Sequence, residues 1–207
     1  SSLTGLAAGT VYHVRAYATN AAGTAYGNDL TFTTQLSDNF TWSNPAGGSW
    51  PVAGNWLLDS IGTGASKTAR FDTLELSSDA GVTLDGARTI GNLVFGDTTP
   101  SHGWTILPGT GGTLTLQSTG TPGITVTNQS ATLGTVIAGT SGFIKSGAGT
   151  LVLTAANTFT GDTTINQGVL ELSSTARIYN AAFNNTNIVT VNTGGTWRMP
   201  DFSYAAV

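Results

Sequence analysis

The chain has no cysteine, a single methionine, and little charge: seven Lys+Arg and eleven Asp+Glu among 207 residues, for a net charge of −4. Without cysteine, a disulfide framework, a zinc–thiolate site and a cysteine nucleophile are all excluded. With five Arg, two Lys and an acidic balance, the cation–phosphate contacts that drive non-specific nucleic-acid binding are lacking. No apolar run approaches the roughly 20 residues of a membrane-spanning helix, so no membrane insertion is expected. Ser1–Thr10 lacks the positive start and apolar stretch of a secretory signal, and Ser1 is not expected to be the native start. Ala and Leu occur, but no segment pairs them with Glu and Lys at helical spacing. Glycine is abundant, at 28 residues, and Thr, Val and Ile are frequent. β-Branched residues suit a pleated, half-buried surface. The composition therefore predicts a nearly all-β protein.

Two regions differ in pattern. In residues 1–36, Tyr12, Val14, Ala16 and Ala18 alternate with Val11, His13, Arg15 and Tyr17, which predicts a strand. Asn20–Gly23 reads as a turn and Leu30–Thr34 as a second strand, giving a short β-hairpin. Leu6, Gly9 and Tyr12 have the form of a tyrosine corner. Together with Tyr12–Asn20 and Leu30–Thr34, they resemble the last two strands of a fibronectin type III domain. The earlier strands of such a domain are missing. A lone hairpin is at best marginally stable, so the chain is expected to be covalently continuous with further domains.

Residues 37–207 read as short strands at roughly ten-residue spacing, punctuated by Gly, Asn, Asp or Ser. The expected strands are Ala69–Asp72, Val82–Leu84, Thr89–Phe95, Trp104–Leu107, Thr113–Gln117, Ile124–Thr127, Ala131–Ile137, Phe143–Lys145, Thr150–Thr154, Thr163–Asn166, Val169–Leu172, Ile188–Val191 and Gly195–Arg198. Segments repeat one another: Gly112-Thr113-Leu114-Thr115-Leu116 and Gly149-Thr150-Leu151-Val152-Leu153 share a pattern whose second half recurs in Val169-Leu170-Glu171-Leu172. Self-similarity of this kind marks a repeat architecture. Sparse charge fits stacked coils, which set like residues about 4.8 Å apart. A β-solenoid is favoured over a sandwich. At roughly 20–30 residues per coil, six to eight coils and a stalk of roughly 30–40 Å are expected.

Residues 145–172, from Lys145-Ser146-Gly147-Ala148-Gly149 through Asn157-Thr158-Phe159-Thr160-Gly161 to Leu170-Glu171-Leu172, resemble the autotransporter-associated β-strand repeat, or passenger-associated transport repeat. Trp50–Trp56 and Ile90–Gly96 resemble segments that precede this repeat in such proteins. The resemblance implies a right-handed parallel β-helix in a secreted or surface-exposed bacterial protein. Its function there would be that of a non-enzymatic stalk that aids secretion and presents other domains. From the residues themselves, Leu151, Leu153, Leu170 and Leu172 are expected inside and Val152 outside. Asn157 and Asn166 are expected to satisfy turn backbone, and Trp42, Trp50 and Trp56 to cap the entry coil.

Candidate chemistry is thin. His13 and His102 lie far apart and outside any catalytic motif. Asp72, Glu75, Asp79, Asp85 and Asp97 fall within 26 residues, with Arg88 among them and Arg70 two residues before. Paired carboxylates there could serve a polysaccharide hydrolase or lyase, or oxygen ligands could hold calcium. Their Gly- and Ser-rich neighbours favour a structural role in turns, so no catalytic residue, metal or cofactor is assigned. Lys145 follows Ile144, not Gly, so no phosphate-binding loop is present. Asn39, Asn128 and Asn184 begin glycosylation-type triplets of the kind expected by chance in a Thr- and Asn-rich chain. Trp104 and Trp197 are the candidate carbohydrate contacts, since Trp offers a stacking face. An adhesive module that binds polysaccharide or cell-surface glycans is therefore the second reading, and the enzyme the third.

Overall fold

The computed structural model describes residues 3–6, 10–34, 38–173 and 187–199. The chain divides into two compact units, Ser1–Asp38 and Asn39–Val207.

The first unit is an antiparallel ribbon. Strands β1 (Val11–Val14) and β4 (Leu30–Thr33) pair, as do β2 (Tyr17–Asn20) and β3 (Gly23–Tyr26). Pairing of Asn20 with Gly23 leaves Ala21 and Ala22 as the turn. The return arm starts at Gly23, earlier than the expected Leu30, because Thr24 and Ala25 continue the alternation opposite Thr19 and Ala18. The ribbon buries little. Tyr12 stacks on Phe32 with ring centroids 5.9 Å apart, while Tyr17 and Tyr26 are exposed.

The second unit is a parallel β-solenoid. Its strands are β5 (Asn39–Thr41), β6 (Gly48–Ser49), β7 (Gly64–Phe71), β8 (Ala80–Thr83), β9 (Arg88–Phe95), β10 (Trp104–Leu107), β11 (Thr113–Leu116), β12 (Gly123–Val126), β13 (Ser130–Leu133), β14 (Val136–Ala138), β15 (Phe143–Ser146), β16 (Thr150–Leu153), β17 (Thr163–Ile165), β18 (Gly168–Leu172), β19 (Val189–Val191) and β20 (Gly195–Arg198). One sheet runs β6-β8-β10-β13-β16-β18-β20. A second runs β5-β7-β9-β12-β15-β17-β19, and β11 and β14 extend a third side from β9. Strand β9 serves two sides: Arg88–Ile90 pair with β11, and Asn92–Phe95 pair with β12.

The described residues close about five turns, fewer than the six to eight expected. The entry coil is longer than average. From Gly48 in β6 to its partner Val82 in β8 the chain takes 34 residues, including two short 3-10 turns at Ala53–Asn55 and Leu57–Asp59. By contrast, Leu151 and its partner Leu170 are 19 residues apart. Strands β5 and β6 were not expected, being too short to show alternation.

Alternation places every second side chain inside. One interior ladder reads Ala80–Trp104–Ala131–Leu151–Leu170–Trp197, and its neighbour reads Val82–Ile106–Leu133–Leu153–Leu172. Alanine on both sides of Trp104 makes room for the indole. Leu151, Leu153 and Leu170 are fully buried, and Leu172 is 8% exposed. The expected Ala131–Ile137 strand is instead two strands with a corner at Gly134 and Thr135. Thr135 turns inward there, and its hydroxyl donates to the carbonyl of Gly112 at 3.2 Å.

The entry coil is closed by aromatic packing. Trp42, Trp50 and Trp56 are buried around Phe71. Trp50 and Trp56 meet edge-on at 4.9 Å. Each indole N–H has an acceptor: Asn44 O, Gly62 O and Trp50 O, respectively. Gly62 must be glycine, because a Cβ would meet the Trp56 ring at 2.6 Å.

Candidate functional site

The repeat segment is the best-defined candidate, and its chemistry is structural. It spans β15 to β18, in which Phe143 pairs with Thr163 and Leu151 with Leu170. Between β16 and β17 the third side has no strand. There Asn157 Oδ1 accepts the N–H of Ile137 at 2.9 Å, while Thr158 N–H donates to the Ile137 carbonyl at 2.8 Å. Asn157 is 3% exposed. It satisfies main chain in the neighbouring coil. Asn166 lies in an exposed ladder, accepting from Asn192 Nδ2 at 2.8 Å.

Lys145 has a role beyond its exclusion from a phosphate loop. It occupies an interior ladder, Phe40–Ala69–Leu93–Ile124–Lys145–Ile165–Val191, and its side chain is fully buried. Its Nζ donates to the carbonyls of Ser146, Gly147 and Gln167 at 2.9, 2.8 and 3.0 Å. Burial pulls its pKa down to about 8. One signal could have revealed this: by period two, Lys145 shares the face of Phe143.

The acidic stretch does not converge on one centre. Asp72 pairs with Arg70 at 2.6 Å, and its other oxygen, Oδ1, is buried with no hydrogen-bond partner. Glu75 accepts from the Thr98 hydroxyl and the Thr99 amide. Asp79 accepts the Gly103 amide at 2.8 Å. Asp85 accepts from the hydroxyls of Ser49 and Thr83 and from the Thr110 amide, which hold it below the usual carboxylate range. Arg88 reaches the main-chain carbonyls of Leu84 and Asp85. Burial raises the pKa of Asp97. Hydrogen bonds from the amides of Leu76, Ser101 and His102 and from the Ser101 hydroxyl outweigh burial and hold it low. Glu75, Asp79 and Asp97 tie together the same two segments, 75–79 and 97–103, whereas Asp72 and Asp85 are engaged elsewhere.

The two histidines and Asn128 have hydrogen-bond partners. His13 Nδ1 lies 2.6 Å from Asp29 on the ribbon. His102 Nδ1 lies 3.1 Å from the Leu76 carbonyl. Asn128 exchanges two hydrogen bonds with the main chain of Asp97. Asn184 lies outside the described residues. Among the described residues no group of three or more His, Cys, Asp or Glu could hold a metal ion.

The two candidate sugar contacts differ. Trp104 is 2% exposed, with its ring centroid 5.4 Å from that of Phe71 and its indole N–H donated to Gly96 O at 2.8 Å. That ring has no free face, because flanking alanines draw it inside; it is core. Trp197 stands above Leu170 in the same ladder and is 36% exposed on β20, the outermost strand of its sheet among the described residues.

Residues 143–172 match the family model of the passenger-associated-transport-repeat. The match covers β15 to β18, the segment in which Lys145, Asn157 and the four interior leucines lie. The chain is also similar to the adhesin BmaC autotransporter of Brucella suis biovar 1 (strain 1330), at 35% identity over 168 residues. That alignment covers 78% of this chain and 5% of the relative. The chain therefore spans about one-twentieth of the length of that curated relative. No solved structure matches the chain.

Proposed function

We propose that this chain is a passenger segment of an autotransporter-like protein, exposed on a bacterial surface or secreted. In this reading it is a non-enzymatic β-helical stalk that presents other domains and aids secretion. The N-terminal ribbon would belong to one such domain, of fibronectin type III-like type.

The observation that carries the reading is the coincidence of repeat and fold. The transport-repeat match falls on two consecutive coils whose interior leucines stack in register. Each coil offers the next a ready edge of N–H and C=O groups. Coils emerging outside a membrane can therefore template on coils already formed, which biases movement outward. The loop roles of the acidic residues support a non-enzymatic reading.

Protease digestion of intact cells expressing the parent protein tests the placement. Cleavage at the exposed turn between β19 and β20, with cytoplasmic markers intact, is the expected outcome. Complete protection on intact cells, lost on lysis, would contradict it.

A second reading, adhesion to polysaccharide or cell-surface glycans, draws on the similarity to an adhesin and on the accessible ring of Trp197. Retention of the purified chain on immobilised polysaccharide, abolished by Trp197→Ala, would favour it. Equal retention of wild type and variant would remove Trp197 from that role.

A further inference from the structure

A lysine inside a β-helix needs a reason. Apolar side chains fill the rest of its ladder in the central coils, with Ile124 below Lys145 and Ile165 above. An ionised amine taken from water into such surroundings is costly unless every donor is paired. Here every donor is. An ammonium has three N–H groups, and three carbonyls receive them within 3.0 Å. All three acceptors are main chain.

The origin of those carbonyls matters more than their number. Ser146 and Gly147 belong to the corner of the same coil, whereas Gln167 belongs to the corner of the next. Both corners are tight. Gly147 has φ +78° and Gly168 has φ +70°, and a Cβ on Gly168 would meet the Gly147 and Gly149 carbonyls at 2.4 Å. The ammonium therefore lies at the junction where two successive corners stack.

We infer that Lys145 is a coupling residue that makes the coil 143–153 and the coil 163–172 form and open as one cooperative unit. Until Gln167 arrives, the ammonium has only two of its acceptors, and burying it leaves a charged donor unpaired. The first coil cannot close fully ahead of the second. Once both are stacked, removing the second exposes the fault in the first. Sheet hydrogen bonds alone join coils pairwise without this condition. The coupling concerns the folding of the segment itself and does not depend on the export reading.

Native-state hydrogen exchange on the 207-residue chain, followed by peptide mass across a denaturant series, tests this. In the wild type, amides of 143–153 and 163–172 are expected to share one opening reaction with one denaturant dependence. Lys145→Met keeps the ladder filled with an apolar side chain of similar reach. In that variant the 163–172 amides are expected to lose protection by ~10-fold or more relative to 143–153, and the two dependences to separate. Ile165→Val, which trims the same ladder without touching the ammonium, is expected to lower both segments together. Independent opening of the two segments in the wild type would overturn the inference whether or not the variant folds. So would a Lys145→Met protein in which they remain joined.

Discussion

The side-chain carbonyl of Asn157 accepts the main-chain N–H of Ile137 at 2.9 Å, across the gap between two coils and out of contact with solvent. With the bond from Thr158 N–H to the Ile137 carbonyl, it reproduces the pairing a strand would supply. The third side of the solenoid thus continues past β14 without a strand. Asn157→Ala leaves the Ile137 N–H buried and unpaired. A loss of about 1–3 kcal/mol is expected, measured by urea unfolding. Asn166→Ala, on the exposed ladder, should cost less than half as much.

A second prediction concerns the closest approach of main chain to main chain. A Cβ on Gly142 would meet the carbonyl oxygen of Asp162 at 1.6 Å, and one on Gly161 would meet the Gly142 nitrogen at 2.0 Å. Neither partner is a side chain that can swing away. Gly142→Ala is expected to destabilise on the order of 3 kcal/mol or more. Gly120→Ala, which meets nothing within 4 Å and has no positive φ, serves as the control and should be nearly neutral. Thermal unfolding of the two variants side by side checks the difference.

Acid sensitivity follows from Asp97. Its folded pKa lies below the ordinary 3.8, because hydrogen bonds to the carboxylate outweigh the burial that raises it. Above the unfolded value the folded state holds the charge with advantage, so the stabilisation is fully present. It is lost as pH falls through the folded pKa. Asp97→Asn should be less stable than wild type at neutral pH. The gap should narrow below about pH 4. Urea midpoints across an acid series provide the measurement.

Lys145 gives the opposite edge of the pH range. Burial places its folded pKa at about 8, against 10.5 for an ordinary lysine. Between those values the unfolded chain binds more protons than the folded chain. The unfolding free energy contributed by this group therefore rises with pH across that window. The three carbonyls hold the ammonium charged at neutral pH. Comparison of wild type with Lys145→Met isolates the effect from the tyrosines, which titrate in both. The expected result is a stability difference that shifts in favour of wild type between about pH 8 and pH 10.5 and is flat around neutrality.

The strands of the solenoid were legible where alternation was clean. Trp104–Leu107 matches β10 at both ends, and Gly195–Arg198 matches β20. Alternation with Thr105 also puts Trp104 on the same face as Ile106. Its place in the core was therefore readable, although a large aromatic invites a binding role. The corner at Gly134 and Thr135 was not legible, because Thr continues a β-branched run and its inward turn depends on the Gly112 carbonyl, supplied by an earlier coil. Lys145 shares the face of Phe143 by period two, yet its burial was hard to read for a similar reason. Lysine is almost never buried without a partner, and its partners are main-chain carbonyls that have no residue signature. Among the acidic residues, Asp79, Asp85 and Asp97 sit beside a Gly or Ser, and each accepts a main-chain N–H from another segment.

In the proposed function, orderly stacking of the coils aids export of the parent protein. The most direct measurement is surface display of that protein carrying Leu151→Asp, against Val152→Lys as control. Leu151 lies in the interior ladder between Ala131 and Leu170, so a carboxylate there breaks the stack. Val152 faces outward beside Glu171, which a lysine can pair with. The account predicts that display falls sharply for Leu151→Asp, with the protein retained in the periplasm or degraded, and is kept for Val152→Lys. Wild-type display of Leu151→Asp, with the solenoid shown to be unfolded, would contradict it.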